Sequence, residues 1–199
     1  MDIESILFGS FGGQKTDISP GDILIAQPMM NDFFARSVIL MLTADPGKGY
    51  MGLVMNHPVS LTMQDILPEW DNGKHIPLHA GGPVDLERLF MLHTLGDVFK
   101  GSKEILPGMY IGADLGDVVE FVENGGEVEG HMRFMLGYSG WASNQLDSEL
   151  LRRTWAVGKK DSTEALLTGD GDDYWRRQVR RLGDSFRSWL MIPNDPSMN

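Results

Sequence analysis

The chain has 199 residues, and its 17 Lys and Arg against 28 Asp and Glu give a formal net charge of −11. Hydrophobic residues make up 42% and charged residues 23%, close to the globular average, which excludes a disordered or fibrous protein. A chain of this length buries roughly 70% of its surface on folding. We therefore expect one domain over 1–199, with 1–19 as an N-terminal extension and 160–199 as a C-terminal helical appendage of the same domain.

The absence of cysteine excludes disulfides, thiolate metal sites, iron–sulfur clusters and a Cys nucleophile. The N-terminal segment carries Asp2 and Glu4 where a signal peptide needs positive charge. The longest clean apolar stretch, 38–42, is far shorter than the roughly 20 residues of a membrane-spanning helix. The sequence therefore predicts a cytoplasmic protein that is not associated with a membrane.

Charge is distributed unevenly along the chain. Residues 1–150 hold 8 basic and 21 acidic side chains, whereas 151–199 hold 9 basic and 7 acidic ones. Because an acidic surface repels phosphate backbones, we expect no direct binding of nucleic acid by the body of the protein. The arginine pairs 152/153, 176/177 and 180/181 favour solvated or salt-bridged helix faces, with a small DNA-binding patch as the alternative.

Three short apolar segments near the start, 22–26, 37–43 and 50–56, are bounded by turn residues and are predicted as strands. The middle one is apolar on both faces, which is typical of a central strand covered on both sides. Thr62 and Asp65 have the spacing of a capping box, so a short helix is expected at 62–67. We further predict strands at 78–82, 89–93, 109–112, 131–138 and 154–157, and helices at 114–124 and 172–182.

The segment 137–141 is predicted to turn the strand at 131–138 directly into a helix capped by Ser143 or Asn144. Strands and helices that alternate over one core indicate an α/β or α+β domain.

Several segments together resemble the AlgH/YqgE family of bacterial proteins. They are GDILIAQP at 21–28, FARSV at 34–38, GLVMN at 52–56 with Pro58, GGPV at 81–84, LH at 92–93, and LGYSGW at 136–141 with QL at 145–146. The resemblance implies an α/β fold in which a strongly bent, barrel-like mixed sheet is flanked by helices. It implies no established reaction. The family is commonly filed under transcriptional regulation, but the sequence has no helix-turn-helix pattern.

The polar or backbone-exposing positions of these segments are candidates for a binding groove, next to the N-terminus of the helix after Trp141. They are Arg36, Asn56, Gly81, Gly82, Pro83, Tyr138, Ser139, Trp141 and Gln145. The alternative is structural: Arg36 pairs with a carboxylate, Asn56 satisfies its own turn, and the glycines bend strands.

A second candidate is a partner-binding patch of four large apolar residues in a probable connection, Met29, Met30, Phe33 and Phe34. Its alternative is that these side chains cover the end of the barrel.

Two motifs have residues that could serve chemistry. The segment 137–141 has the context of a nucleophilic serine at Ser139, but Trp141 breaks the Gly-x-Ser-x-Gly pattern, so a structural turn is favoured. His75 and His79 cannot share a helix face because Pro77 lies between them, and on a strand they are about 13 Å apart, too far for one metal ion.

The sequence thus predicts a binding or regulatory protein that is not an enzyme, needs no cofactor or metal, and acts through a protein or small-molecule partner. The alternative is an enzyme acting on a small anionic or acyl substrate near Gly137 and Gln145.

Overall fold

The computed structural model describes residues 17–70, 73 and 75–193. Its strands are β1 Ile23–Ala26, β2 Val38–Asp45, β3 Gly49–Val54, β4 Pro58–Thr62, β5 Pro77–Ala80, β6 Val84–His93, β7 Lys103–Leu106, β8 Met109–Ile111, β9 Met132–Trp141 and β10 Trp155–Gly158. Its α-helices are α1 Met63–Ile66, α2 Leu115–Glu123, α3 Gln145–Leu151, α4 Thr163–Thr168 and α5 Gly171–Leu182. Two 3-10 helices cover Gly96–Val98 and Asp184–Met191.

The strands form one mixed sheet in the order β10-β1-β2-β3-β9-β6-β8-β7, with antiparallel neighbours throughout. Strand β5 is the exception and pairs in parallel with β9, while β4 pairs with β5 in the antiparallel direction. Strand β9 is the long element of the sheet: one of its edges pairs with β5 and then with β3, while the other edge pairs with β6. The expected mixed sheet flanked by helices is confirmed.

Strand β2 lies inside the sheet and is covered on both faces, as its apolar sequence predicts. Val38 and Leu40 pack into a core that includes residues of α4 and α5. The intervening Ile39 and Met41 face the opposite side, where they pack with Trp141 and Trp155. Because successive side chains of a strand point to opposite faces, a continuous apolar run serves two cores at once.

Two predicted helices begin at side-chain caps, of which the one at Thr62 was expected from the sequence. At α1 the carboxylate of Asp65 accepts hydrogen bonds from the backbone N–H and the hydroxyl of Thr62, at 2.7 and 2.9 Å. At α2 the Asp114 side chain accepts from the backbone N–H of Gly116 at 2.9 Å. A side-chain oxygen at this position satisfies N–H groups that the first helical turn leaves without partners.

The prediction that 137–141 turns directly into a helix is wrong. This segment stays in β9, because Ser139, Gly140 and Trp141 pair in register with β3. Helix α3 begins only at Gln145, and its cap residue Asn144 has a φ of 65° and makes no side-chain capping bond. The strands β4 and β7 and the 3-10 helix at Gly96–Val98 were not predicted. Helix α4 and the 3-10 helix at Asp184–Met191 were expected only as part of the helical appendage at 160–199.

The C-terminal segment is part of the main core where the structure describes it. Tyr174, Trp175 and Val179 of α5 and Trp189 after it are buried against the sheet. The indole N–H of Trp175 donates to the carbonyl of Ala26, the last residue of β1, at 2.9 Å. The segment 1–16 of the expected N-terminal extension lies outside the described residues. No described helix combines the length and the hydropathy that crossing a bilayer requires.

Candidate binding site

Arg133 is a buried arginine within the apolar strand β9, with 4% of its surface exposed. Its Nε donates to the carbonyl of Leu167 at 3.0 Å, and its Nη1 donates to the carbonyls of Gly169, at 3.0 Å, and of Met55. Leu167 and Gly169 belong to the C-terminal end of α4, where carbonyl groups lack helical partners and a cation is favourable. Arg133 thus ties the sheet to this end of α4.

Asp170 balances the charge of Arg133. Its Oδ1 lies 3.2 Å from Nη2 of Arg133 and 2.9 Å from Nε2 of His79. Burial by itself raises the pKa of Asp170, but the hydrogen bond from His79 and the charge of Arg133 outweigh it and hold the pKa below its ordinary value. The carboxylate is therefore ionised at neutral pH. Its side chain is 49% exposed and both contacts use Oδ1, so the remaining oxygen is open to solvent.

His79 lies on β5, which pairs in parallel register with β9 so that His79 stands beside Met135. Arg133 precedes Met135 by two residues, and side chains two apart on a strand share a face, so the imidazole and the guanidinium meet at Asp170. Because a carboxylate only accepts, Nε2 of His79 carries the proton in this contact. The other ring nitrogen, Nδ1, is buried and has no hydrogen-bond partner among the described residues.

These three side chains line a cleft of about 800 Å³ between the sheet, the loop before β9 and the corner between α4 and α5. Its walls include apolar side chains, among them Ile76, Val128 and Phe134, and two exposed glutamates, Glu127 and Glu129. The full lining comprises residues 75–77, 79, 127–130, 132–134, 167–168 and 170. Apolar walls with a few convergent polar groups are typical of ligand sites.

Arg36, a candidate groove residue, lies elsewhere and is 4% exposed. Its Nη1 is 2.5 Å from Oδ1 of Asp172, its Nη2 donates to the carbonyl of Ile192 at 2.6 Å, and its guanidinium stacks on Trp175 at 4.6 Å. Its backbone has a φ of 52°, a left-handed conformation that this side chain holds only with support from its surroundings. Arg36 therefore fastens the start of α5 to the segment before β2.

Asn56 completes the same junction. Its side-chain oxygen accepts from the backbone N–H of Val38 at 2.8 Å, and its amide donates to the carbonyls of Arg36 and Gly171, each at 2.9 Å. The side chain is 1% exposed. The structural alternative foreseen for Arg36 describes its contact with a carboxylate, whereas the one foreseen for Asn56 does not, because the partners of its side chain lie on Arg36, Val38 and Gly171 and not in its own turn.

The glycine turn and Ser139 form a second group. Gly81 bridges two strands, because its N–H donates to Leu136 of β9 at 2.7 Å and its carbonyl accepts from Val54 of β3 at 2.8 Å. The buried hydroxyl of Ser139 donates to the same carbonyl at 3.2 Å. A Cβ on Gly82 would overlap the backbone of Tyr138. Pro83 beside it is exposed.

Trp141 and Gln145 form a third group around Glu149 of α3. The Trp141 indole donates to Oε2 of Glu149 at 2.8 Å, and the Trp155 indole donates to the same oxygen at 2.7 Å. The amide of Gln145 donates to Oε1 at 3.0 Å. The candidate groove residues thus fall into three groups, none of which lines the cleft at Asp170. That they bind a ligand stays a prediction, as does catalysis near Gly137 and Gln145.

The candidate partner patch is divided between core and surface. Met30 and Phe34 are half-buried against the Trp141 and Trp155 core, with the Phe34 ring 5.5 Å from that of Trp155. Met29 and Phe33 are 56% and 36% exposed. The segment therefore covers one core and also presents apolar surface to solvent.

Sequence reasoning missed Arg133 and Asp170 and considered His79 only as a metal ligand. A usable signal was present for Arg133: a charged residue inside the apolar run HMRFML of a predicted buried strand must find a carboxylate and hydrogen-bond acceptors. Asp170 carries a weaker signal, as an acidic residue just before a helix. Their meeting with His79 depends on β5 pairing with β9, which the local sequence does not specify.

Comparison with known proteins gives consistent matches over most of the chain. A family model described as AlgH-like matches residues 23–187. A UPF0301 protein of Bacteroides thetaiotaomicron is 36% identical, with all of both chains covered. The solution structure of the AlgH protein from Pseudomonas aeruginosa superposes with a TM-score of 0.67 at 27% identity, covering 92% of this chain and 98% of that one. A crystal structure of a Corynebacterium diphtheriae protein, at 22% identity and a TM-score of 0.69 over 95% of this chain and 98% of that one, has the same fold.

Proposed function

Since this chain belongs to the AlgH-like family, whose matched region contains the cleft at Asp170, we propose that it is a binding protein that takes a segment of a partner protein into this cleft without chemical turnover. The observation that carries the proposal is the cleft itself. Its volume of about 800 Å³ lies within the usual range for ligand sites, roughly 300–1,000 Å³.

The hydrogen bonds of the cleft support binding rather than turnover. Arg133 uses its N–H groups on three backbone carbonyls and Asp170, so this cation holds the fold together. Asp170 in turn is held by His79 and Arg133. Because Arg133, Asp170 and His79 hold one another in place, this part of the cleft is rigid, which favours recognition of a fixed shape and charge.

A regulatory role for this protein would follow from partner binding. In the C-terminal region two of the arginines have local acceptors: Arg181 pairs with Asp161 at 2.5 Å and Arg176 pairs with Asp172 at 2.5 Å. Charges that are already paired release few counterions on binding nucleic acid, and the body of the chain is strongly acidic. Met29 and Phe33 offer a second, apolar contact surface for the same partner.

The test is to fill the cleft. Thr168 lines it and is exposed, so Thr168→Trp blocks the cleft without touching Arg133 or Asp170. Thermal unfolding is measured against a library of peptides and metabolites. We expect a peptide that raises the midpoint temperature of the parent protein in a concentration-dependent way and fails to do so in the variant. At 100 times its Kd, such a ligand adds about 2.7 kcal/mol to the free energy of unfolding.

Thr43→Trp, on an exposed position of β2 remote from the cleft lining, is the matched control and should keep the ligand response. A ligand that stabilises the parent and Thr168→Trp equally contradicts the cleft as the site. A ligand that is consumed or chemically altered contradicts binding without turnover.

A further inference from the structure

We propose that the cleft at Asp170 recognises a lysine side chain on the partner segment, an inference that rests on the proposed function. The first support for this proposal comes from the floor of the cleft, which Arg133, Asp170 and His79 form. Arg133 is engaged by backbone carbonyls and Asp170, whereas the carboxylate of Asp170 keeps one oxygen open to solvent. The floor therefore offers acceptors and needs a ligand that brings donors.

His79 strengthens this conclusion. The Nε2 proton of His79 is directed to Asp170, and in the neutral form of the ring the other nitrogen, Nδ1, is an acceptor; it is buried and has no partner among the described residues. Buried polar atoms are nearly always hydrogen-bonded, so an acceptor of this kind in the lining of a cleft marks a place where a donor is missing. The His79 side chain is 6% exposed and is held in position by the strand pairing.

Charge at the mouth of the cleft has the matching sign. Glu127 and Glu129 lie in the lining and are exposed, while the one cation of fixed charge in the described lining, Arg133, is paired with Asp170. His75 and His79 are the other titratable groups there. A mouth with two carboxylates that have no ion pair among the described residues, on a chain of net charge −11, attracts a cationic ligand and repels an anionic one.

The shape of the site favours lysine over other cations. Apolar walls at Ile76, Val128 and Phe134 suit the four-carbon stem of lysine. Oδ1 of Asp170 already accepts from two partners, so the two-pronged carboxylate contact that arginine prefers is blocked. An ammonium group needs only single acceptors in different directions. The cleft is also larger than a small amine requires, which indicates a segment of a protein as the source.

The experiment measures fluorescence anisotropy with three labelled nine-residue peptides that share a Gly-Ser framework. One peptide carries three lysines, one carries three norleucines and one carries three glutamates. Norleucine has an aliphatic side chain like that of lysine but lacks the charge. The protein is the parent chain, a Glu127→Gln/Glu129→Gln variant of the rim, and a Glu87→Gln/Glu123→Gln control that removes the same charge from exposed positions elsewhere.

We expect the lysine peptide to bind, the glutamate peptide not to bind, and the norleucine peptide to bind at least about tenfold more weakly than the lysine peptide. The rim variant should bind the lysine peptide about fivefold more weakly than the parent, and the control variant less than about twofold more weakly. Binding of the lysine peptide to the parent should decrease as the salt concentration rises. Asp170→Asn should also weaken binding of the lysine peptide, and circular dichroism checks that this variant is folded.

Three results overturn the inference. If the norleucine and lysine peptides bind equally well and Thr168→Trp blocks both, the proposed function stands but the cleft does not recognise lysine. Equal weakening by the rim and control variants shows only a general charge effect. If spermidine displaces the lysine peptide at equal concentration, the ligand is a small polyamine and not a protein segment. Loss of every ligand response in the cleft-filling test concerns the proposed function instead.

Discussion

At the scale of single residues, two buried arginines determine how the C-terminal helices attach to the sheet. Arg36 and Arg133 are each 4% exposed, and each finds its carboxylate near the start of α5, at Asp172 and Asp170. A buried cation without such a partner is strongly unfavourable. The two aspartates are therefore structural even where one of them also faces a cleft.

Asp172→Asn should lower the free energy of unfolding by about 2 kcal/mol, less than a fully buried pair would lose because Asp172 is 35% exposed. The reason is that Arg36 stays buried without a countercharge. Urea denaturation measures the change. The control is Asp173→Asn, the exposed neighbour in the same helical turn, which should lose about 0.5 kcal/mol through the helix dipole. Equal losses in both variants would remove the special role of the Arg36 pair.

At the scale of elements, the turn at 81–82 lies where one edge of β9 changes its pairing partner from β5 to β3. The edge of β9 pairs with β5 up to Leu136 and with β3 from Ser139, and Gly81 hydrogen-bonds to both β9 and β3 at the point of change. Gly137, with a φ of 67°, lies at the same point. Backbones approach this closely only where no Cβ intervenes. The same arrangement brings His79 and Arg133 to one face of the sheet.

Gly82→Ala should therefore destabilise the protein by about 1–3 kcal/mol, because the added Cβ overlaps the Tyr138 backbone and forces β9 away from the turn. The comparison variant is Gly47→Ala in an exposed turn, where the nearest atom to the new Cβ is an Asp45 carboxylate oxygen at 3.4 Å. Its urea midpoint should stay close to that of the parent. A Gly82→Ala protein with an unchanged midpoint would contradict the close packing of these segments.

At the scale of the whole molecule, three ionised carboxylates, Asp161, Asp170 and Asp172, hold the C-terminal helices in place. For each, burial by itself raises the pKa, but hydrogen bonds and nearby arginines outweigh it and lower the pKa from its ordinary value of 3.8. A carboxyl group whose pKa is lower in the folded state stabilises the fold above the pKa of the unfolded chain. This contribution is lost as the pH falls through the lowered folded value.

Burial lowers the pKa of His57 and His93, so the unfolded chain takes up protons before the folded one, and we expect the free energy of unfolding to begin to fall between pH 7 and about pH 5. The three carboxylates then make it fall further from there to about pH 3. Asp161→Asn should be less stable at neutral pH and should show a shallower fall, because one of the three protonations is absent. Urea denaturation at four pH values provides the measurement. Asp97→Asn, at an exposed position, should keep the slope of the parent. A parent protein equally stable at pH 7 and pH 3 would contradict this account.

The sequence by itself determined the fold class and part of the local structure. The apolar run of β2, the capping box at Thr62 and the helical spacing over 114–124 predict their elements because side-chain periodicity and capping act within a few residues. The family-like segments predict the mixed sheet. Where local signals misled, as at 137–141, glycines that suggest a turn lie in a strand, because the pairing with β3 extends β9 to Trp141.

Only the tertiary structure decided which polar residues meet. Arg36, Asn56 and Gln145 were candidates for one groove, but Gln145 lies in a different hydrogen-bonded group from Arg36 and Asn56. The cleft instead unites His79, Arg133 and Asp170 from three distant segments. Contacts of this kind depend on which strands pair and on where the helices pack. Both are set by burial of the whole chain rather than by neighbours in sequence, so local patterns contain no record of them.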